Sequence, residues 1–272
     1  MTVTNPEAIP GTAAGAAAPD YALLDRAGAA RTAFFPRPDH SRAPAGSSDH
    51  LLEVAPGIRL GARLYATDPA LPTIIYFHGN GEVAGDHDDV AQFYFNAGLN
   101  LFVVEFRGYG DSDGDPSFAT LVADARSAAA LTHKLLDERG FAAGRFVMGR
   151  SMGAHSALEI AANAPAGFKG MILESGAGSL RRWLERLDID PAQGRQLVEA
   201  HEDKIRSIRL PVLMIHGEID ELIPIARARE VQALLAGTTC EFVTIQGAGH
   251  NDIVWVGYRE YFAAIQAFCT GR

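Results

Sequence analysis

The chain has 272 residues, 47% of them hydrophobic and 21% charged, the composition of a globular protein with a sizeable core, which excludes a collagen, a coiled coil and a mostly disordered polymer. Its net charge of −9 argues against a nucleic-acid partner, because phosphate binding needs clustered Lys and Arg, and leaves small-molecule partners open. Cys240 and Cys269 are too few for a disulfide framework, no run of about 18 apolar residues crosses a membrane, and Glu7 stands where a secretory peptide needs positive charge, so a cytoplasmic location is expected.

Residues 1–48 are rich in Ala, Pro, Gly and Ser and read as a disordered or loosely docked segment, with Tyr21 to Leu24 and Phe34-Phe35 as the parts able to dock. Residues 49–272 read as one domain. Strands are expected at Leu51–Ala55, Ile58–Tyr65, Thr73–His78, Leu101–Phe106, Arg145–Gly149, Gly170–Glu174, Pro211–His216 and Glu241–Ile245. Most of these runs are continuously apolar, as in parallel strands buried on both faces. Helical spacing falls at 82–98, 117–139, 152–163, 224–236 and 252–269. The alternation predicts an α/β fold with a doubly wound sheet behind an antiparallel pair, and such sheets carry their chemistry at the carboxyl ends of strands.

Three of those ends carry reactive residues. Gly149-Arg150-Ser151-Met152-Gly153 follows a strand and opens a helix, the context in which a serine hydroxyl is held exposed on a strained turn and small flanking residues relieve the crowding. A hydroxyl needs a base, and the base needs a partner that fixes its tautomer. Asp220 in Gly217-Glu218-Ile219-Asp220 and His250 in Gly247-Ala248-Gly249-His250 each stand just past a strand, in the order Ser, Asp, His at intervals of 69 and 30 residues. Glu218, Glu221 and Asp252 are the other candidates for the acid. The glycine-rich turn His78-Gly79-Asn80-Gly81 offers the N–H of Asn80 as one oxyanion donor, and Met152, directly after the serine, offers the other.

Other patterns compete. His78, His155 and His216 read as structural histidines, and Asp86-His87-Asp88-Asp89 as a solvated loop rather than a metal site, so no metal is expected. Gly79-x-Gly81-x-x-Ala84 with Glu105 also fits a dinucleotide fingerprint and an NAD(P)-binding oxidoreductase. That reading leaves the serine elbow, Asp220 and His250 as separate accidents.

Together the segments Tyr76-Phe77-His78-Gly79-Asn80-Gly81, Phe106-Arg107-Gly108-Tyr109-Gly110-Asp111-Ser112-Asp113-Gly114, Gly149-Arg150-Ser151-Met152-Gly153, His216-Gly217-Glu218-Ile219-Asp220 and Gly249-His250-Asn251-Asp252 resemble the serine-hydrolase branch of the α/β-hydrolase superfamily, similar to the Bem46-like proteins, over about residues 50 to 270. The resemblance implies an α/β-hydrolase fold, an eight-stranded mostly parallel sheet with helices on both faces and a short cap at about 179–210. Gly81-Glu82-Val83-Ala84-Gly85 departs from the usual small-residue continuation of its loop. In the cap, Leu180, Trp183, Leu184 and Leu187 share a helical face, which packs on the body as core or roofs an acyl pocket. Arg150 is placed to pair with a carboxylate such as Glu174. Gly79, Tyr109 and Trp183 are the candidate pocket residues.

The expected activity is cofactor-independent hydrolysis of a carboxylic ester or thioester of a small to medium acyl group, with Ser151, His250 and Asp220 as the triad and an acyl-enzyme intermediate. An amide or peptide hydrolase on the same triad is the alternative. A non-catalytic binding protein is the rival from another class. Oligomeric state is not legible.

Overall fold

The computed structural model describes residues 2–4, 18–176 and 178–271. In chain order the elements are β1 (Thr2–Thr4), α1 (Ala22–Arg26), α2 (Ala30–Ala33), β2 (Ser47–Ala55), β3 (Ile58–Tyr65), β4 (Thr73–Phe77), α3 (Ala91–Asn96), β5 (Asn100–Val104), α4 (Phe118–Glu138) and β6 (Arg145–Arg150). They continue with α5 (Ala154–Asn163), β7 (Phe168–Glu174), α6 (Arg181–Leu184), α7 (Pro191–Arg206), β8 (Val212–Gly217), α8 (Ile225–Leu234), β9 (Cys240–Ile245), α9 (Ile253–Val256) and α10 (Tyr258–Thr270). The eight strands expected from the sequence are joined by the short β1 at the edge, and the sheet runs in the order β1-β2-β3-β5-β4-β6-β7-β8-β9. Pairing is antiparallel at β2–β3 and β3–β5 and parallel elsewhere.

Every residue of β4, β5 and β8 is buried, which is why these strands read as unbroken apolar runs. Their side chains alternate between two cores. Ile75, Phe77, Val147 and Leu173 face α4, α5 and the cap, whereas Ile74, Tyr76, Met148 and Ile172 face α3 and α10. Because both faces of these central strands are covered, it is at their ends and in their loops that they meet a ligand.

Several element boundaries differ from expectation. The span 82–98 forms a 3-10 turn at Ala84–His87 and the short α3. The span 252–269 breaks at Gly257 into α9 and α10, where a Cβ would collide with Ile245 Cγ2. In the cap, Arg181–Leu184 alone is helical of the expected face, and a second helix, α7, begins at Pro191 with the Asp190 carboxylate accepting the N–H groups of Ala192 (2.9 Å) and Gln193 (3.0 Å).

From residue 18 onward the N-terminal segment lies on the body. Tyr21, Leu24, Ala33 and Phe34 are buried in the core, and Phe34 packs edge-on against Phe118 at 5.3 Å. Asp25 accepts the first-turn N–H groups of α4 from Phe118 (2.8 Å) and Ala119 (3.0 Å), adding a carboxylate to the helix end already capped by Ser117. The expectation of disorder for residues 5–17 lies outside the described residues. Among the described residues, no helix is long and apolar enough to cross a membrane.

Candidate active site

β6 ends in a 3-10 turn, Ser151–Gly153, that leads into α5. Ser151 has φ 51°, a left-handed conformation that costs a non-glycine residue about 1–2 kcal/mol and turns its hydroxyl out of the chain path. The flanking glycines make this turn possible. A Cβ at Gly149 would collide with the Gly153 carbonyl, and one at Gly153 with the Phe77 carbonyl of β4.

His250, after β9, brings Nε2 to 2.9 Å from Ser151 Oγ, and its Nδ1 lies 2.8 Å from Asp220 Oδ2. Asp220, after β8, accepts the N–H groups of Leu222 (3.0 Å) and Ile223 (2.7 Å) on its other oxygen. Burial by itself would raise the Asp220 carboxyl, but hydrogen bonds from His216, His250 and the Ile223 N–H outweigh it and hold the group well below the usual carboxylate range. Of the rival acids, Glu218 accepts the Gly247 N–H (3.0 Å) and Asp252 the Gly249 N–H (2.7 Å), while Glu221 lies in the wall of the cleft over Ser151.

Asn80 is fixed through its side chain. Its Oδ1 accepts the Tyr109 hydroxyl (2.6 Å) and the Phe35 N–H (3.0 Å), and its Nδ2 donates to the Ala33 carbonyl (2.7 Å). Burial pushes the Tyr109 phenol up to about 12, against N–H donors from Phe35 and Gly81, so it stays a neutral donor to Asn80. A cleft of ≈ 750 Å³ lies over Ser151 and His250, with Asn80 and Met152 in its wall together with Phe35, Phe118, Trp183 and Ile223. Thr32, Ala33 and Phe35 thus give the N-terminal segment a share of this wall.

Of the expected pocket residues, Trp183 lines the cleft and stacks edge-on against Phe118 at 5.2 Å. Leu180 is buried while Leu184 and Leu187 are partly buried against the core, so the cap face both packs and roofs. Gly79 and Tyr109 do not line the cleft: Gly79 packs on Arg150, and Tyr109 is buried beneath Asn80.

The remaining histidines have other partners. His78 is buried, which lowers it to about 4, and its neutral ring donates from Nδ1 to the Gly79 carbonyl (2.7 Å). His155 lies in the cleft wall, edge-on to Phe118 at 5.8 Å. His87, expected in a solvated loop, is buried instead, with its ring edge-on to Tyr76 at 4.9 Å; Asp88 beside it pairs with Arg63 (2.9 Å). Glu105, the acid of the dinucleotide fingerprint, is buried and accepts the N–H groups of Ala84 and Asp111 (3.0 Å each), which leaves it unavailable to a ribose.

Two features of the site were not read from the sequence. His216 reaches Asp220 Oδ2 at 3.3 Å while its Nε2–H donates to the Ile223 carbonyl (2.8 Å), a contact signalled only by the four-residue spacing of His216 and Asp220. Arg150 makes the expected pair with Glu174 (3.3 Å), but it also pairs with Glu82 of the loop after β4, which no local pattern connects to it.

The family described as "Serine aminopeptidase, S33" matches residues 68–188. Protein bem46 of Schizosaccharomyces pombe is 28% identical over 191 residues, 66% of this chain and 62% of that one, so the match spans under two thirds of the relative's length. Protein YfhR of Escherichia coli K12 is 30% identical over 205 residues, 71% of this chain and 69% of that one. Among solved structures, the Pyrococcus furiosus esterase Pf2001 superposes with a TM-score of 0.68 at 19% identity, covering 86% of this chain and 97% of that one, a likeness of fold. Sheet order, serine elbow and relatives agree: the chain belongs to the α/β-hydrolase superfamily, as a hydrolase-family member similar to Bem46.

Proposed function

We propose that the protein is a serine hydrolase that cleaves a carboxylic ester or thioester of a small to medium acyl group through an acyl-enzyme. The observation that carries this reading is the unbroken chain from Ser151 Oγ to His250 Nε2 at 2.9 Å and from His250 Nδ1 to Asp220 Oδ2 at 2.8 Å. In the proposed reaction Ser151 Oγ attacks the acyl carbon as its proton passes to His250 Nε2. Asp220, held ionised, fixes the His250 tautomer and stabilises the imidazolium. The N–H groups of Asn80 and Met152 receive the developing oxyanion. Collapse of the tetrahedral intermediate breaks the bond to the leaving oxygen or sulfur, which takes the proton from His250. A water molecule, activated by the same imidazole, then hydrolyses the acyl-Ser151 ester and frees the acid. No step calls for a cofactor. The free thiols of Cys240 and Cys269 fit a reducing compartment, the cytoplasm.

Amide hydrolysis is the second reading. It is supported by the description of the matched family as a serine aminopeptidase and by Glu221 in the cleft wall, a carboxylate suited to a substrate ammonium. The test compares p-nitrophenyl acetate and butyrate with aminoacyl p-nitroanilides and maps a fluorophosphonate label by mass spectrometry. The proposal expects ester turnover and a label on Ser151. Faster anilide turnover transfers the assignment to the amide reading, and a label elsewhere, or none, overturns the triad.

A further inference from the structure

Arg150, between Gly149 and Ser151, lies in the wall of the same cleft, and its guanidinium reaches into a cluster of loops. Its guanidinium pairs with Glu82 of the loop after β4 and, through Nε, with Glu174 at the end of β7 (3.3 Å). Its Nη2 donates to the backbone carbonyl of His250 (3.1 Å) and to Asn251 Oδ1 (3.0 Å) in the loop after β9. Glu82 in turn accepts the Gly79 N–H (2.7 Å), one residue before Asn80. The fit against Gly79 is close, since a Cβ there would collide with Arg150 Nη1.

We infer that Arg150 is a positioning residue, one guanidinium that locks the loops carrying Asn80, Ser151 and His250 into a single geometry. The inference rests on the serine-hydrolase reading above and adds to it a residue outside the triad.

The chemistry suits arginine. Five N–H donors in a rigid plane address two carboxylates, a carbonyl and an amide oxygen at once, a set that the point charge of lysine cannot span. The guanidinium is largely buried between its two carboxylates, where the pairs are weakly screened and the geometry is stiff. Burial would raise the Glu82 carboxyl, but the Arg150 charge, the nearby His87 and His78 rings and the Gly79 N–H together outweigh it and hold the group below its ordinary value, so Glu82 remains an anion and an acceptor for Gly79. Glu174 is held from the other side by the Tyr261 hydroxyl (2.7 Å). Three loops that meet only through long-range contacts are thereby tied to one group whose backbone neighbour is Ser151 itself. A merely structural role would make Arg150 matter for folding alone; a positioning role makes it matter for turnover in protein that is folded.

The experiment measures kcat and KM on p-nitrophenyl acetate and the rate of fluorophosphonate labelling for Arg150→Met, Arg150→Lys and Arg150→Ala, with circular dichroism as the check on folding. A shift of about 1 Å in a catalytic loop costs on the order of 100-fold. Arg150→Met is therefore expected to lose about 10- to 100-fold in kcat with KM within about twofold. Labelling should slow in the same proportion, and Arg150→Lys should keep part of the rate. Guanidinium chloride at about 30 mM, far below denaturing concentrations, should recover severalfold activity in Arg150→Ala and none in wild type. Should Arg150→Met not fold, Glu82→Gln reads the same coupling with an expected loss of about 3- to 10-fold in kcat. Wild-type kcat in the folded Arg150→Met protein, or in Glu82→Gln if Arg150→Met is unfolded, overturns the inference, as does a loss confined to KM. The outcome is separable from failure of the triad. If wild type labels at Ser151 and Arg150→Met labels equally fast, the positioning role alone falls; if wild type does not label at Ser151, both fall.

Discussion

His216 Nε2 lies 3.3 Å from Asp220 Oδ2, the same oxygen that His250 Nδ1 approaches to 2.8 Å. The two imidazoles and two backbone N–H groups surround a buried carboxylate and hold it ionised. A group with a depressed folded value contributes stability that is present above the ordinary carboxylate range and is lost as pH falls through the folded value. Asp220 therefore stays charged across the neutral and mildly acid range. Asp220→Asn should cost about 10²–10⁴ in kcat, because an amide no longer selects the required tautomer. Full activity in Asp220→Asn contradicts this account.

Ser151→Ala should lower ester turnover by about 10³-fold or more, leaving the residual catalysis of the oxyanion donors and binding. Alanine retains a Cβ at φ 51°, so the backbone strain is unchanged and the melting temperature should stay close to wild type. Loss of activity with unchanged melting isolates the hydroxyl; turnover near wild type removes Ser151 from the mechanism.

Glu105 gives a pH signature of a different sign. Burial raises its carboxyl from the ordinary 4.5 to about 7, against the N–H donors of Ala84 and Asp111. Between these values the folded chain holds a proton that the unfolded chain has released, so the group's contribution is fully present below about 4.5 and is lost as pH rises through about 7. At about 1.4 kcal/mol per unit over about 2.5 units the loss comes to about 3.5 kcal/mol. The urea midpoint should fall between pH 5 and pH 8 in wild type, and that fall should be much reduced in Glu105→Gln. Equal pH dependence in the two proteins assigns it to other groups.

What the sequence made legible follows the range of the interactions. Strand periodicity, the crowded Gly149-x-Ser151-x-Gly153 turn and the glycine loops after β8 and β9 are local, and the strand ends bring Ser151, Asp220 and His250 into one chain of contacts. The Asn80 clamp is not local. It joins Asn80 to Ala33 and Phe35 across more than 40 residues through backbone groups that leave no residue-type signature. Of the Arg150 network only the Glu174 pair was legible; the contacts to Glu82 and the His250 carbonyl hide for the same reason. In the cap, the spacing of Leu180, Trp183, Leu184 and Leu187 suggested one helical face, yet α6 ends at Leu184 and Asp190-Pro191 starts a new helix, because a capping carboxylate and an N1 proline favour initiation there.

Chain-length selectivity tests what the cap does. Trp183 lines the cleft and rests edge-on against Phe118 at 5.2 Å, and these two rings lie among the apolar residues of the wall, with Phe35, Met152, Leu187 and Ile223. Each methylene that finds burial there should add about 0.8 kcal/mol, close to fourfold in kcat/KM. The rate should climb over the first carbons and then drop once the acyl group outgrows the enclosed part of the cleft, with an optimum near about two to six carbons. Trp183→Ala removes the roof and the Phe118 contact together. It should weaken short esters by lost burial, extend the optimum to longer chains and lower stability by about 1–3 kcal/mol for a partly buried aromatic. The measurement is kcat/KM over a p-nitrophenyl ester series from two to twelve carbons for both proteins. Wild-type rates that keep rising through twelve carbons, or an unchanged profile in a folded Trp183→Ala, show that the cap leaves the pocket open and that Trp183 serves packing alone.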